Sequence, residues 1–84
     1  MTGKEQIKVK HTRSYLAIIE RAADGSYSAY VPDLPGCVAI GQDTPEAAKR
    51  LIGQAIKSHV AGLIEDGLPV LEPASQAEIV EAVA

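Results

Sequence analysis

The stretch SYLAIIERAADGSYSAYV, residues 14–31, decides the fold. Residues 14–23 are rich in strand formers, and the period of two puts Tyr15, Ala17 and Ile19 on one face and Leu16, Ile18 and Glu20 on the other. Asp24-Gly25-Ser26 reads as a hairpin turn, because Asp-Gly accepts the positive φ angles that a tight connection requires. The returning strand, residues 27–31, then gathers Tyr27, Ala29 and Val31 opposite Ser28 and Tyr30. Both faces of the first strand are largely apolar, so the sheet it enters has two sides to cover.

Downstream, Pro32-Asp33-Leu34-Pro35-Gly36 cannot be a strand interior: two prolines remove ladder donors and Gly36 can take a left-handed angle. Residues 37–40 are apolar and long enough for a third strand, which Gly41 ends. Thr44 then caps a helix whose first position is Pro45, where the missing N–H costs nothing. From 45 to about 66, Ala48, Leu51, Ile52, Ala55, Ile56, His59, Val60, Leu63 and Ile64 recur at three- and four-residue spacing as one broad stripe. Glu46 and Arg50 add an exposed pair one turn apart, Gly67 is the expected stop, and Gly62 can bend the last turn. Leu68-Pro69-Val70-Leu71 is predicted as a short edge strand, and Ser75-Gln76-Ala77-Glu78 as a capping box opening a final short helix with Ile79, Val80 and Val83.

The expected fold is therefore α+β: an antiparallel-rich β-β-β-α-β sheet with one long helix on one face, plus a short C-terminal helix or tail. Residues 1–13 form a basic leader or arm, 14–71 the domain, and 72–84 the terminal helix or tail. A single helix covers one face of such a sheet. The other face then calls for self-association, a protein partner, or the terminal helix folding back.

Composition bounds the function. The 84 residues suffice for one domain with a small core, and 46 % hydrophobic against 23 % charged residues argues against disorder. Without Trp or Phe the core must be aliphatic, helped by Tyr15, Tyr27 and Tyr30. The single cysteine, Cys37, excludes an internal disulfide and a multi-cysteine zinc site. No apolar run reaches the length of a membrane span and the N-terminus lacks a signal-peptide core, so a cytoplasmic location is the default expectation. The net charge of −3 is uneven, at +3 over residues 1–21 and −6 over 22–84. An acidic body repels phosphate backbones and speeds encounter with a basic partner.

The catalytic inventory is thin. His59 lies in or beside the helix stripe, His11 in the leader, and neither has a partner at metal-ligand spacing. Cys37 reads as a small buried hydrophobe, since nothing nearby supplies a base or lowers its pKa. Glu65 and Asp66 sit at a helix C-terminus, where the dipole disfavours them, and suit an acidic surface. Glycines 36 and 41 lack the Lys-Ser/Thr pair of a phosphate loop. No catalytic residue, metal or cofactor is expected.

Residues 27–47, YSAYVPDLPGCVAIGQDTPEA, carry a family signature. The Pro-Asp-Leu-Pro-Gly-Cys run followed by Gly-x-x-Thr-x-Glu-Ala resembles the HicB-like antitoxins, and the preceding hairpin and following helix match as well. The resemblance implies a truncated ribonuclease H-like domain that binds and neutralises a small basic HicA-like toxin, an mRNA interferase, and that forms dimers or tetramers. Longer members add a DNA-binding module. With 13 residues after Leu71, specific DNA binding by this chain is not expected. Nor is nuclease chemistry, since the central strands offer only Glu20 where two-metal catalysis needs several carboxylates. The alternative is a stand-alone homo-oligomeric regulatory or ligand-binding domain without a toxin.

Partner contacts are expected from Tyr30, Asp33 and Leu34, with Pro32, Pro35 and Gly36 restricting the loop before it docks. Against this stands a structural reading in which the loop merely turns the chain, Asp33 caps local N–H groups and Leu34 packs in the core.

Overall fold

The computed structural model describes residues 13–83. The expected leader, including His11, lies outside these residues apart from Arg13. Three strands, β1 (Ile18–Arg21), β2 (Tyr27–Tyr30) and β3 (Val38–Gln42), form an antiparallel sheet in the order β1-β2-β3, followed by one helix, α1 (Pro45–Glu65). The fold is α+β, as the hairpin and the helical stripe predict.

Its local geometry follows from a few residues. The β1–β2 connection is a three-residue loop: the Ala22 N–H donates to Ser26 O (2.8 Å) and the Gly25 N–H to Ala22 O (2.9 Å). Only Gly25 has positive φ, so the tighter Asp-Gly turn with two such residues is not formed. Asp24 instead accepts from the Ser26 amide (2.9 Å) and hydroxyl (2.7 Å), which lowers its pKa. Register pairs Ile18 with Tyr30 and Ile19 with Ala29; across β2 and β3, Ala29 faces Ala39 and Tyr30 faces Val38. The next pairing, Tyr27 with Gln42, leaves one extra residue on β3, a bulge.

The loop after β2 is two turns in series. The Leu34 N–H donates to Val31 O (3.1 Å), the Cys37 N–H to Leu34 O (3.0 Å), and the Val31 N–H closes the base on Cys37 O (3.2 Å). In the second turn Pro35 and Gly36 (φ 86°) hold the positions that a type II turn assigns to proline and glycine. This path turns Leu34 inward.

Helix α1 begins as expected. Thr44 Oγ1 accepts the Ala47 N–H at 3.0 Å, and Pro45 follows. It ends in a Schellman motif: the Leu68 N–H donates to Leu63 O (2.9 Å), the Gly67 N–H to Ile64 O (3.1 Å), and Gly67 takes φ 68°. Ala48 and Ile52 are buried, with Ala55, Ile56 and Val60 packed beside them against Ala29, Val31, Leu34, Cys37 and Ala39. The helix has 21 residues and rises ~31 Å, whereas strands of 4 or 5 residues span only ~13–17 Å. Its second half therefore overhangs the sheet, and Ile64 is 61 % exposed despite lying in the apolar stripe.

Two expected elements are absent among the described residues: 68–83 contain neither strand nor helix. The predicted edge strand at 68–71 fails because Pro69 lacks a donor and the Leu68 N–H is spent on the helix cap. Leu71 is held by a side chain instead, its carbonyl accepting the Tyr15 hydroxyl. The predicted terminal helix does not form; Ser75, its expected cap, is held instead through its amide and its hydroxyl, both donating to Asp33. Such a short segment is also below the length at which a helix sustains itself in water. It does not fold back over the sheet, and Ile79, Val80 and Val83 are 96, 85 and 96 % exposed.

Candidate interaction surface

An antiparallel sheet with a solvated side normally alternates apolar-in and polar-out. Here both sides are apolar. The positions facing α1 include Ala29 and Ala39, which with Ala48 let helix and sheet approach closely, beside the larger Tyr27 and Val31. Large apolar side chains lie behind as well. Ile18, Tyr30 and Val38 form a row across all three strands on the outer face, by the pairing Ile18–Tyr30–Val38. Tyr30 is 38 % exposed and Val38 50 %; Ile40, further along β3 on the same side, is 74 % exposed. Glu20 and Ser28, paired on β1 and β2, are the polar members of this face. No described element packs over it.

The three residues expected to meet a partner do not form one site. Tyr30 lies on the outer face. Leu34 is 1 % exposed, the largest fully buried side chain of the domain, and belongs to the core. Its side chain is not offered to a partner. Asp33 is taken up within the chain: Oδ2 accepts the Ala74 amide (2.9 Å) and the Ser75 amide (2.8 Å), and Oδ1 the Ser75 hydroxyl (2.9 Å). These bonds favour the carboxylate and hold its pKa below the usual value. Pro32, Pro35 and Gly36 shape the loop that makes both placements.

A second tether lies nearby. Arg13 Nε meets Glu72 Oε2 at 3.3 Å, so residues 71–75 are fixed by three side chains: Arg13, Tyr15 and Asp33. These contacts bridge 41 to 59 positions and have no local sequence signal. Cys37 is buried and free, and burial pushes its thiol pKa up, away from a nucleophile's range. Among the described residues no group of His, Cys, Asp and Glu is placed to hold a metal ion. No helix among them is long and apolar enough to cross a membrane.

Residues 15–83, nearly all the described chain, match the family model of the HicB-like antitoxins of bacterial toxin–antitoxin systems. The chain belongs to this family. A UPF0150 protein of Synechocystis is 38 % identical over 61 residues, covering 73 % of this chain and 76 % of the relative. A 14.9 kDa protein from the rep-hol intergenic region of Haemophilus phage HP1 is 41 % identical over 64 residues, covering 74 % of this chain but 47 % of the phage protein. No solved structure matches significantly.

Proposed function

We propose that this chain is an antitoxin that binds and neutralises a small basic HicA-like mRNA interferase, performing no chemistry itself. The observation that carries the reading is the uncovered row Ile18–Tyr30–Val38, with Ile40 beside it, in a member of an antitoxin family. An apolar patch of this kind on a small domain marks an interaction site. Tyr30 is the natural anchor, because a tyrosine at the centre of a patch brings a rigid ring and one polar handle.

The charge of −6 over residues 22–84 supports a basic partner, and Glu20 sets a carboxylate within the patch. Inhibition is then steric and electrostatic: the toxin's RNA-binding face is covered and its cations are answered by carboxylates. Asp33 and Leu34 contribute from behind. Leu34 fixes the loop next to Tyr30, and Asp33 holds residues 74 and 75 at its edge. Self-association and a cytoplasmic location belong to the same proposal.

Affinity purification of the chain from its native host, with RNA-cleavage assays on any small basic protein recovered with it, tests the proposal. The expected result is a complex that suppresses RNA cleavage, with affinity falling about 30-fold or more for Tyr30→Ala, the ~2 kcal/mol typical of an interface hot spot. Recovery of self-copies alone, with cleavage unaffected, would instead favour a stand-alone homo-oligomeric domain.

A further inference from the structure

The overhang of α1 leaves a groove of about 540 Å³ beside Tyr15, floored by Ile56, Val60 and Ile64 and flanked by the cations Arg13 and Lys57. It is apolar with a basic rim. Gly53 lies in its wall, in mid-helix, where a Cβ would meet nothing within 4 Å. A helix gains by replacing such a glycine with alanine, and the packing of this chain gives no reason against it. A bare helix wall suits the close approach of something not yet in place.

The same chain carries a segment of the opposite character. Residues 76–83 read Gln-Ala-Glu-Ile-Val-Glu-Ala-Val, acidic through Glu78 and Glu81 and apolar through Ile79, Val80 and Val83. No backbone hydrogen bond ties them to the other described residues. On a helix, Ile79, Val80 and Val83 would share one side. Acidic-apolar segment and basic-rimmed apolar groove are complementary in both respects.

We infer that residues 76–83 dock, apolar side first, into the α1 groove of a second copy of this chain, with the exchange reciprocal. The second copy is favoured over the same chain because in the folded monomer this segment does not enter its own groove: Ile79, Val80 and Val83 stand almost fully exposed. Residues 1–12 are a poorer occupant by charge, since Lys4, Lys8 and Lys10 would face Lys57 and Arg13. The exchange leaves the outer sheet face free, and it stands whether or not a toxin binds there.

Light scattering on the full chain, with cross-linking of mixed copies, tests the exchange. The expected mass is about twice the monomer's 8.8 kDa at micromolar concentration. Ile79→Ser with Val83→Ser, at positions too exposed to affect folding, should weaken association at least tenfold. Lys57→Glu should weaken it likewise, and Glu81→Lys added to Lys57→Glu should restore part of the loss. Copies bearing Val80→Cys mixed with copies bearing Ala61→Cys should give a covalent heterodimer under mild oxidation. A monomeric mass at all these concentrations overturns the inference. So does a dimer indifferent to Ile79, Val83 and Lys57, or one lost when residues 1–12 are removed.

Discussion

Substituting Leu34 by alanine separates a core role from a contact role, and its size can be worked out. Leu34 is 1 % exposed and is enclosed by Val31, Cys37 and the small side chains of the helix–sheet contact. Leucine-to-alanine changes at buried sites cost ~2–5 kcal/mol, more where the surroundings cannot collapse. Here they collapse poorly. The loop is pinned by three backbone hydrogen bonds, and Ala29, Ala39 and Ala48 are too short to reach into a void. A loss of ~3 kcal/mol follows, against a total stability of ~4–13 kcal/mol for a domain of this size. The midpoint of thermal unfolding should fall by ~12–24 °C.

Urea denaturation followed by circular dichroism measures the loss directly, with the slope unchanged if the native fold persists. Tyr30→Ala should cost no more than ~1 kcal/mol in the same assay, since its side chain leaves the core intact. If Leu34→Ala left stability within ~1 kcal/mol of the parent and instead weakened partner binding, the placement of Leu34 in the core would be refuted.

Gly53→Ala should raise the stability of the monomer by ~0.5–1 kcal/mol, because the added Cβ meets no atom of its own chain; a loss on thermal melting at concentrations where the protein is monomeric would mean that the site is occupied within the monomer. Thr44→Ala should cost ~1 kcal/mol through loss of the cap to the Ala47 amide, read from the urea midpoint. The Cys37 thiol should resist alkylation in the native protein and react only on unfolding; rapid native-state labelling would contradict its burial. The Asp33 attachment is sensitive to acid. Because its folded pKa lies below the ordinary 3.8, the stabilisation is complete above that value and is lost as pH falls through the lowered one. The Ala74 and Ser75 amide resonances should move together in that window, and Asp33→Ala should abolish the transition.

What the sequence made legible was local. Alternation grouped Tyr15 with Ala17 and Ile19, and Tyr27 with Ala29 and Val31, setting Ile18 and Tyr30 on the opposite faces of their strands, because a strand's faces follow from its period; which face meets the helix came only from the packing. The Thr44-Pro45 start and the Gly67 stop of α1 were equally readable, since caps depend on neighbouring residues. The fate of the 68–83 region was not, because it was settled by tethers from Arg13, Tyr15 and Asp33, distant in sequence. Ser75 shows this clearly: the residue expected to open a helix is held by Asp33, 42 positions away. The candidate surface was half legible. Ile18 and Tyr30 were each set on one side of their own strand, while the row they form with Val38, with Ile40 beside it, follows only from the pairing of the three strands. Leu34 looked like an anchor because prolines and glycine suggested a presented loop; the same residues turn the side chain inward.

The outer sheet face is proposed to neutralise a basic toxin. This is tested most directly by titrating RNA cleavage by a HicA-like ribonuclease recovered with this chain from its native host, using the parent protein and Val38→Asp. Val38 is half exposed on the proposed contact, so the substitution places a charge there without entering the core. Stoichiometric loss of cleavage with the parent, and cleavage retained with a folded Val38→Asp protein, is the predicted result. Cleavage unchanged by excess parent protein, or suppressed equally by both, would contradict it.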